Sequence, residues 1–379
     1  MKIALLTYTH PDFFPPVYEF YTVLKEEGHE PFIVSVQSYV EDSPASSYKM
    51  YTVANTFSNS FWGRMNYREA LENTTHKCFE TEKPNLVISF CEVSFLLAHK
   101  LVKTYAIPHF HNSLEVYAYK ISDFKRSFLS TYRRYVYLKN VNKAQFVSCP
   151  SYERAGLLTS AGNFSTAVHT ILNCQAINSD DLEFVRQKSK NKPQNTVFIH
   201  TGGVNHTRSV LELVQGFHQA NMPQTELWIT NVKDNDYGLQ IKKFIETQQL
   251  THIKILGTVS REELIALQKQ AHIGICFMKP HKGLGSQLLA PNKIGEYLKY
   301  GMNIVTVDMP YMDLFSKGFV KVNNIENIHE VSEKLQEALR LFQNQDSEEI
   351  IDILAWYNMK YQMRKILKQL NDNTLVKLS

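Results

Sequence analysis

Hydrophobic and polar positions along this 379-residue chain fall into two runs of alternating strand and helix signals. Short, continuous apolar runs read as strands buried on both faces, and apolar residues recurring every turn read as helices. In the first run, residues 2–7, 30–36, 86–90, 106–110 and 145–149 are predicted strands. Helices are predicted over 16–27, closing near Gly28, and over 95–104 and 124–140. The second run predicts strands over 196–201, 226–230, 252–256, 273–277 and 303–307, interleaved with helices over 208–219, 238–248, 261–270 and 291–300. Such alternation favours parallel sheets covered by helices on both faces. The expected fold class is α/β, in two domains.

Residues 173–195 separate the runs. They are polar and lack a sustained apolar period, with QKSKNKPQN as their least foldable piece, and read as a linker. This bounds a first domain over 1–172 and a second over 196–347. In the C-terminal segment 348–379, one helix is predicted over 348–370. It carries Ile350, Ile351, Leu354, Tyr357 and Met363 on overlapping faces and Trp356 near its start.

A hydrophobic share of 44%, with 15 Gly and 13 Pro, describes a globular chain with full cores. The net charge of +4 is too weak to indicate a nucleic-acid partner, and none is expected. The five cysteines, an odd count, show no metal-ligand or CxxC spacing, so buried free thiols in a reducing cytoplasm are expected. The apolar part of MKIALLTYTHPDFF is too short for a signal peptide and reads as a first strand. No stretch approaches the roughly 20 apolar residues that cross a bilayer. The Asn-x-Ser/Thr triplets at Asn73, Asn163 and Asn205 therefore carry no weight.

The run from Leu289 to Thr306 holds the most specific chemistry. Pro291 opens an amphipathic helix to Tyr300, Gly301 suits the left-handed position that closes it, and Ile304-Val305-Thr306 follows as a strand. The unpaired N–H groups of such a first turn, here including Asn292, attract anions by roughly 0.3–1 kcal/mol each. Lys293 adds a full charge, and Glu296, one turn on, offers a carboxylate for sugar hydroxyls. Earlier, GGVNHTRS follows a predicted strand. Gly202 and Gly203 permit close backbone approach there, and Arg208 supplies a forked cation for phosphate.

The pattern Pro291, Lys293, Glu296, Tyr297, Gly301 before a buried strand resembles the donor-site helix of the retaining, nucleotide-sugar glycosyltransferases of the GT-B fold, family 4 type. The order of elements extends the resemblance over nearly the whole chain. It implies two Rossmann-like domains facing across a cleft, with the last helix crossing back to the first. It also implies Glu296 on the donor ribose, and Gly202, Gly203 and Arg208 on the diphosphate with Gly283 and Gly285 of HKGLGSQ. Gly257 and Val259 would face the base. On the acceptor side, the resemblance puts a catalytic His111 at a strand end, with Glu115 nearby and Thr9 and His10 lining the cleft. His109 is expected to point away from His111. The chain departs from the family where Val204 replaces an Arg, where Leu288 replaces the first Glu of a Glu-x7-Glu pair, and where the loop after the first strand lacks glycines.

The activity so implied is transfer of a hexose from a UDP-, GDP- or ADP-linked sugar to a glycan or lipid-linked acceptor, in cell-surface polysaccharide synthesis. No cofactor or metal is expected. A sugar-nucleotide epimerase of the same fold is the alternative. A non-enzymatic two-domain solute-binding protein is a second one, and it predicts an export signal. Asp234-Asn235-Asp236 has the form of a metal–diphosphate triplet, but it falls where a solvated turn is expected. Finally, Lys120, Lys125, Arg126, Arg133, Arg134, Lys139 and Lys143 interleave with Phe124, Phe128, Tyr132, Tyr135 and Tyr137. That mixture over 120–143 suits an anionic membrane surface.

Overall fold

The structure is a computed structural model that describes residues 1–36, 47–53, 61–116, 128–165, 168–279, 290–315, 317–344 and 346–378. Two compact units divide the chain: Met1–Ala176 with Met359–Ser379, and Ile177–Asn358. Among the described residues the first unit holds the strands β1 (Lys2–Thr7), β2 (Glu30–Val36), β3 (Met50–Val53), β4 (Leu86–Phe90), β5 (His109–Asn112), β6 (Phe146–Cys149) and β7 (His169–Thr170). They form one parallel sheet in the order β3-β2-β1-β4-β5-β6-β7. Ile3, Ala4, Leu5 and Leu6 are all fully buried, as strands covered on both faces require. The Pro16–Glu26 helix buries Val17, Phe20, Val23 and Leu24. The Met359–Leu378 helix packs on it, and Lys360–Glu26 (2.7 Å) and Arg364–Glu27 (2.8 Å) ion pairs flank the contact.

The second unit repeats the plan with β8 (Thr196–His200), β9 (Thr225–Thr230), β10 (Ile253–Leu256), β11 (Ile273–Cys276), β12 (Asn303–Val307) and β13 (Phe319–Val322). Its parallel sheet runs β10-β9-β8-β11-β12-β13. Strand order reverses between β1 and β4 in one sheet and between β8 and β11 in the other. Open α/β sheets bind ligands outside the carboxyl ends of the strands at such points.

Several elements differ from the sequence expectation. Within the stretch read as linker, Ser179–Lys190 is a helix, started by a capping box between Asn178 and Asp181. Its charged circumference hides the one buried residue, Val185. The helix expected over 348–370 is two, Ser347–Trp356 and Met359–Leu378. The break is held by buried Tyr357, whose hydroxyl lies 2.8 Å from that of Tyr311, and by Asn358, whose side chain accepts from the Ile177 N–H at 3.3 Å. Trp356 ends the former helix, with its ring 5.6 Å from Phe315. The cysteines are free. No described helix is long and apolar enough to cross a membrane.

Candidate functional site

In the second sheet β8 ends at His200 and leads into Thr201-Gly202-Gly203. Gly202 is left-handed (φ +86°), and its N–H donates to Thr230 Oγ1 at the end of β9 (3.3 Å). Beyond β11, the Asn292–Lys299 helix starts at Pro291, with Asn292 as its first helical residue. Gly301 (φ +69°) closes it as expected. The Gly301 N–H bonds to Leu298 O at 2.9 Å, and the Met302 N–H bonds to Tyr297 O at 3.1 Å.

Tyr297 fixes this helix against the sheet. Its buried hydroxyl accepts from the Thr201 N–H (3.1 Å), lies 3.0 Å from Thr201 Oγ1 and donates to Ile275 O at 3.3 Å. Its ring occupies space that exists because residue 274 is glycine: a Cβ there would come within 2.3 Å of Tyr297 Cδ2. So anchored, the helix lays Lys293 across Gly202, where a Cβ would sit 2.9 Å from Cε and 3.1 Å from Nζ.

Burial pushes the Lys293 ammonium down to about 8, and the charge of Arg208 acts in the same direction. Arg208 lies in a short 3-10 turn, His206–Arg208. Left-handed Ser209 follows it, and the α-helix begins only at Val210. The expected helix over 208–219 is corrected accordingly: the side chain of Asn205 bonds the turn's N–H of Thr207 (3.0 Å) and draws these residues out of the helix. Neither Arg208 nor Lys293 has a carboxylate within ion-pair distance among the described residues. His200 is fully buried, and neither ring nitrogen makes a hydrogen bond of good geometry. Burial, together with the charges of Lys293 and Arg208, holds it well below the ordinary histidine value and therefore neutral. Two unneutralised cations beside a glycine turn at the strand-order reversal can hold a polyanion such as a diphosphate.

Glu296 is buried. Its Oε1 lies 3.1 Å from Arg261 Nη1, and its Oε2 accepts from Gln268 Nε2 at 3.3 Å. Gly257 is exposed after β10 and its carbonyl accepts from the Asn231 N–H (3.1 Å), while Val259 is partly buried. A Cβ on Gly203 or on Gly257 would meet nothing within 4 Å. Gly283 and Gly285 lie outside the described residues.

In the first sheet the expected direction of His109 is corrected. His111 is fully buried, with Nδ1 2.9 Å from Ser89 Oγ and Nε2 3.0 Å from the Tyr137 hydroxyl, which donates to Ser113 Oγ (2.8 Å). His109 does not point away from it: its Nε2 lies 2.8 Å from the same Ser89 Oγ, and both rings contact Phe95. The reason is strand parity, since side chains two residues apart share a face. Burial drives His109 down to about 3 and His111 well below its ordinary value. His111 is thus a core residue with a partner on each ring nitrogen. His10, expected to line a ligand site, is also buried. Its Nδ1 accepts from the Asp12 N–H (3.1 Å) and caps the Pro11–Phe13 turn. Thr9 and Glu115 are exposed at the carboxyl ends of β1 and β5.

The Asp234-Asn235-Asp236 triplet starts a helix. Asp234 pairs with Lys242 (2.6 Å) and Asn235 accepts from the Gly238 N–H (2.9 Å). On the Phe128–Asn140 helix, Phe128, Leu129, Tyr132 and Tyr135 face solvent, at 62%, 58%, 51% and 40% exposure, while Tyr137 faces inward. Lys120, Phe124, Lys125 and Arg126 lie outside the described residues.

No family model and no curated protein matches the chain. Solved structures do. Anabaena Alr3699/HepE in complex with UDP superposes with a TM-score of 0.69 at 14% identity, covering 98% of this chain and 100% of that one. Sucrose-phosphate synthase from Thermosynechococcus elongatus gives 0.65 at 13%, over 98% and 100%. A putative UDP-N-acetylglucosamine 2-epimerase from Listeria monocytogenes gives 0.63 at 13%, over 98% and 96%. The fold is that of the GT-B glycosyltransferases.

Within the GT-B frame, the sequence reading had named Gly202, Lys293 and Glu296 but not their supports. Thr201, Thr230, Arg261 and Gln268 went unnoticed. One signal was present: Gln268 follows Arg261 by seven residues, two turns on one helix face.

Proposed function

We propose that this chain is a nucleotide-sugar-dependent glycosyltransferase, moving a hexose with retention from a uridine diphosphate donor to a glycan or lipid-linked acceptor in cell-surface polysaccharide synthesis. The observation that carries the reading is the pair Arg208 and Lys293, without carboxylate partners among the described residues, beside Gly202 at the carboxyl ends of β8 and β11. The leaving diphosphate gains charge as the glycosidic bond breaks. Fixed cations stabilise that charge more in the transition state than in the ground state. The two cations take the place a metal ion would fill, so activity persists in EDTA. Glu296 takes the ribose hydroxyls, with Gly203, Gly257, Val259, Asn292, Gly283 and Gly285 completing the donor side. Thr9 and Glu115 stand on the acceptor side. Uridine is favoured because the HepE structures carry UDP and UDP-glucose.

The test is proton NMR of UDP-hexoses incubated with the chain and with glycan or lipid-linked acceptors. UDP release with the anomeric configuration kept is the expected result. Conversion of the donor to an epimer, without acceptor, supports the epimerase reading that the Listeria likeness brings in. Failure of UDP to bind at millimolar concentration sinks both.

We also propose that the acceptor is met at an anionic membrane surface on the cytoplasmic face, through the Phe128–Asn140 helix. A solvent-facing stripe of Phe128, Leu129, Tyr132 and Tyr135 beside exposed Lys139 supports this, since aromatic and basic groups together suit the headgroup boundary. A Phe128→Ser, Tyr132→Ser variant should lose about tenfold in binding to phosphatidylglycerol vesicles, by roughly 0.8 kcal/mol per CH₂ withdrawn. Equal co-sedimentation of variant and parent argues against the surface.

A further inference from the structure

The buried carboxylate of Glu296 is held from one side. Arg261 and Gln268 lie two turns apart on the Arg261–Gln270 helix and reach it from the same direction. Each takes one oxygen, Arg261 Nη1 at 3.1 Å from Oε1 and Gln268 Nε2 at 3.3 Å from Oε2. A carboxylate oxygen accepts two hydrogen bonds, so one acceptor direction remains on each oxygen. Two parallel acceptor directions suit two neighbouring hydroxyls, which is what a ribose 2′,3′-diol presents.

Gln268 is an unusual residue for this place. It is fully buried, and its Oε1 makes no hydrogen bond, so the burial of this amide is compensated through its Nε2–H alone. What the amide does is bond Glu296. The capping box between Ser260 and Glu263 meanwhile fixes the start of the helix at Arg261.

We propose that Arg261 and Gln268 are positioning residues that set the Glu296 carboxylate at the angle needed for a ribose diol, and so set the discrimination between ribonucleotide and deoxyribonucleotide donors. This rests on the proposed role of Glu296. Neither residue touches the nucleotide; both act through the carboxylate. Removing either frees it to turn, and both hydroxyl bonds weaken together while the diphosphate contacts stay as they are.

Titration calorimetry of the full chain with UDP and with 2′-deoxy-UDP tests this, because the ratio of the two affinities reads the 2′-hydroxyl contact. The wild type is expected to favour UDP by about tenfold or more, one hydrogen bond to a charged group being worth that much. Glu296→Gln should bring the ratio close to one. Gln268→Met, nearly isosteric, and Arg261→Met should each reduce the ratio at least threefold, with affinity for inorganic pyrophosphate unchanged, and Arg261→Lys should restore part of it. A ratio that collapses in Glu296→Gln yet holds in both Gln268→Met and Arg261→Met overturns the positioning role and leaves the ribose contact standing. A ratio unmoved by Glu296→Gln overturns the ribose contact, and the positioning role with it.

Discussion

At the strand-order reversal of the second sheet, Lys293 and Arg208 stand without carboxylate partners among the described residues. In the first sheet, His109 and His111 of β5, one strand beyond the reversal, are enclosed by Ser89, Phe95 and Tyr137. Both places carry residue types suited to chemistry. The difference lies in what the fold has already bonded. A polar group at a strand's carboxyl end serves a ligand only when its own neighbours leave it an open valence, and strand parity decides which residues those are.

The comparison breaks most visibly in the Arg208→Met, Lys293→Met double variant. Turnover should fall about 10³-fold or more, since one donor to a developing oxyanion is worth about 10²–10³. Initial rates within tenfold of the parent would erase the contrast between the two places. The next effect in size is on stability against pH. His109 titrates near 3 and His272 near 4 in the folded chain, below the value of about 6.5 in the unfolded one. Between those values the unfolded chain binds more protons. Stability is therefore fully present above about pH 6.5 and is lost as pH falls towards 4, at about 1.4 kcal/mol per pH unit for each histidine. Urea midpoints that do not drop between pH 6.5 and 5 would contradict this burial.

His111→Asn sharpens the comparison at the next level. It should cost about 1–3 kcal/mol by urea unfolding, as Ser89 and Tyr137 lose their buried partner, with kcat of the folded protein kept within about threefold. A hundredfold loss of kcat at unchanged stability would place His111 in the chemistry. Asp234→Asn should change least. The Asp234–Lys242 pair is exposed and worth about 0–1 kcal/mol, so activity with or without magnesium is expected to stay within about twofold.

Where burial alone shapes an element, the sequence was enough to draw it. The apolar runs at 2–7, 30–36, 86–90 and 303–307 coincide with β1, β2, β4 and β12. The short strands β3, β7 and β13 and the Phe61–Glu82 helix escaped. The strands are only a few residues long, and the helix spreads its apolar residues around its whole circumference. The places of Lys293, Glu296 and Gly301 on a helix and at its close were legible because a helix start and a glycine stop leave marks in sequence. The partners of His111, Ser89 and Tyr137, were not legible, because they come from another strand and a helix and leave no local trace. Arg261 and Gln268 were missed for the same reason: their meaning depends on a carboxylate some 30 residues away.

Tyr297 joins the backbone of Thr201, the carbonyl of Ile275 and the hollow over Gly274 in one side chain. Thr201 directly precedes Gly202, and Lys293 sits one turn before Tyr297, so the spacing between glycine turn and ammonium is set in the hydrophobic interior. The proposed anion pocket is assembled when the unit folds, and its ligand would arrive at a preorganised site instead of ordering one. The same linkage makes the site inherit the rigidity of the core. A change at Gly274, a residue covered by the Tyr297 ring, would displace the lysine as surely as a change at Gly202.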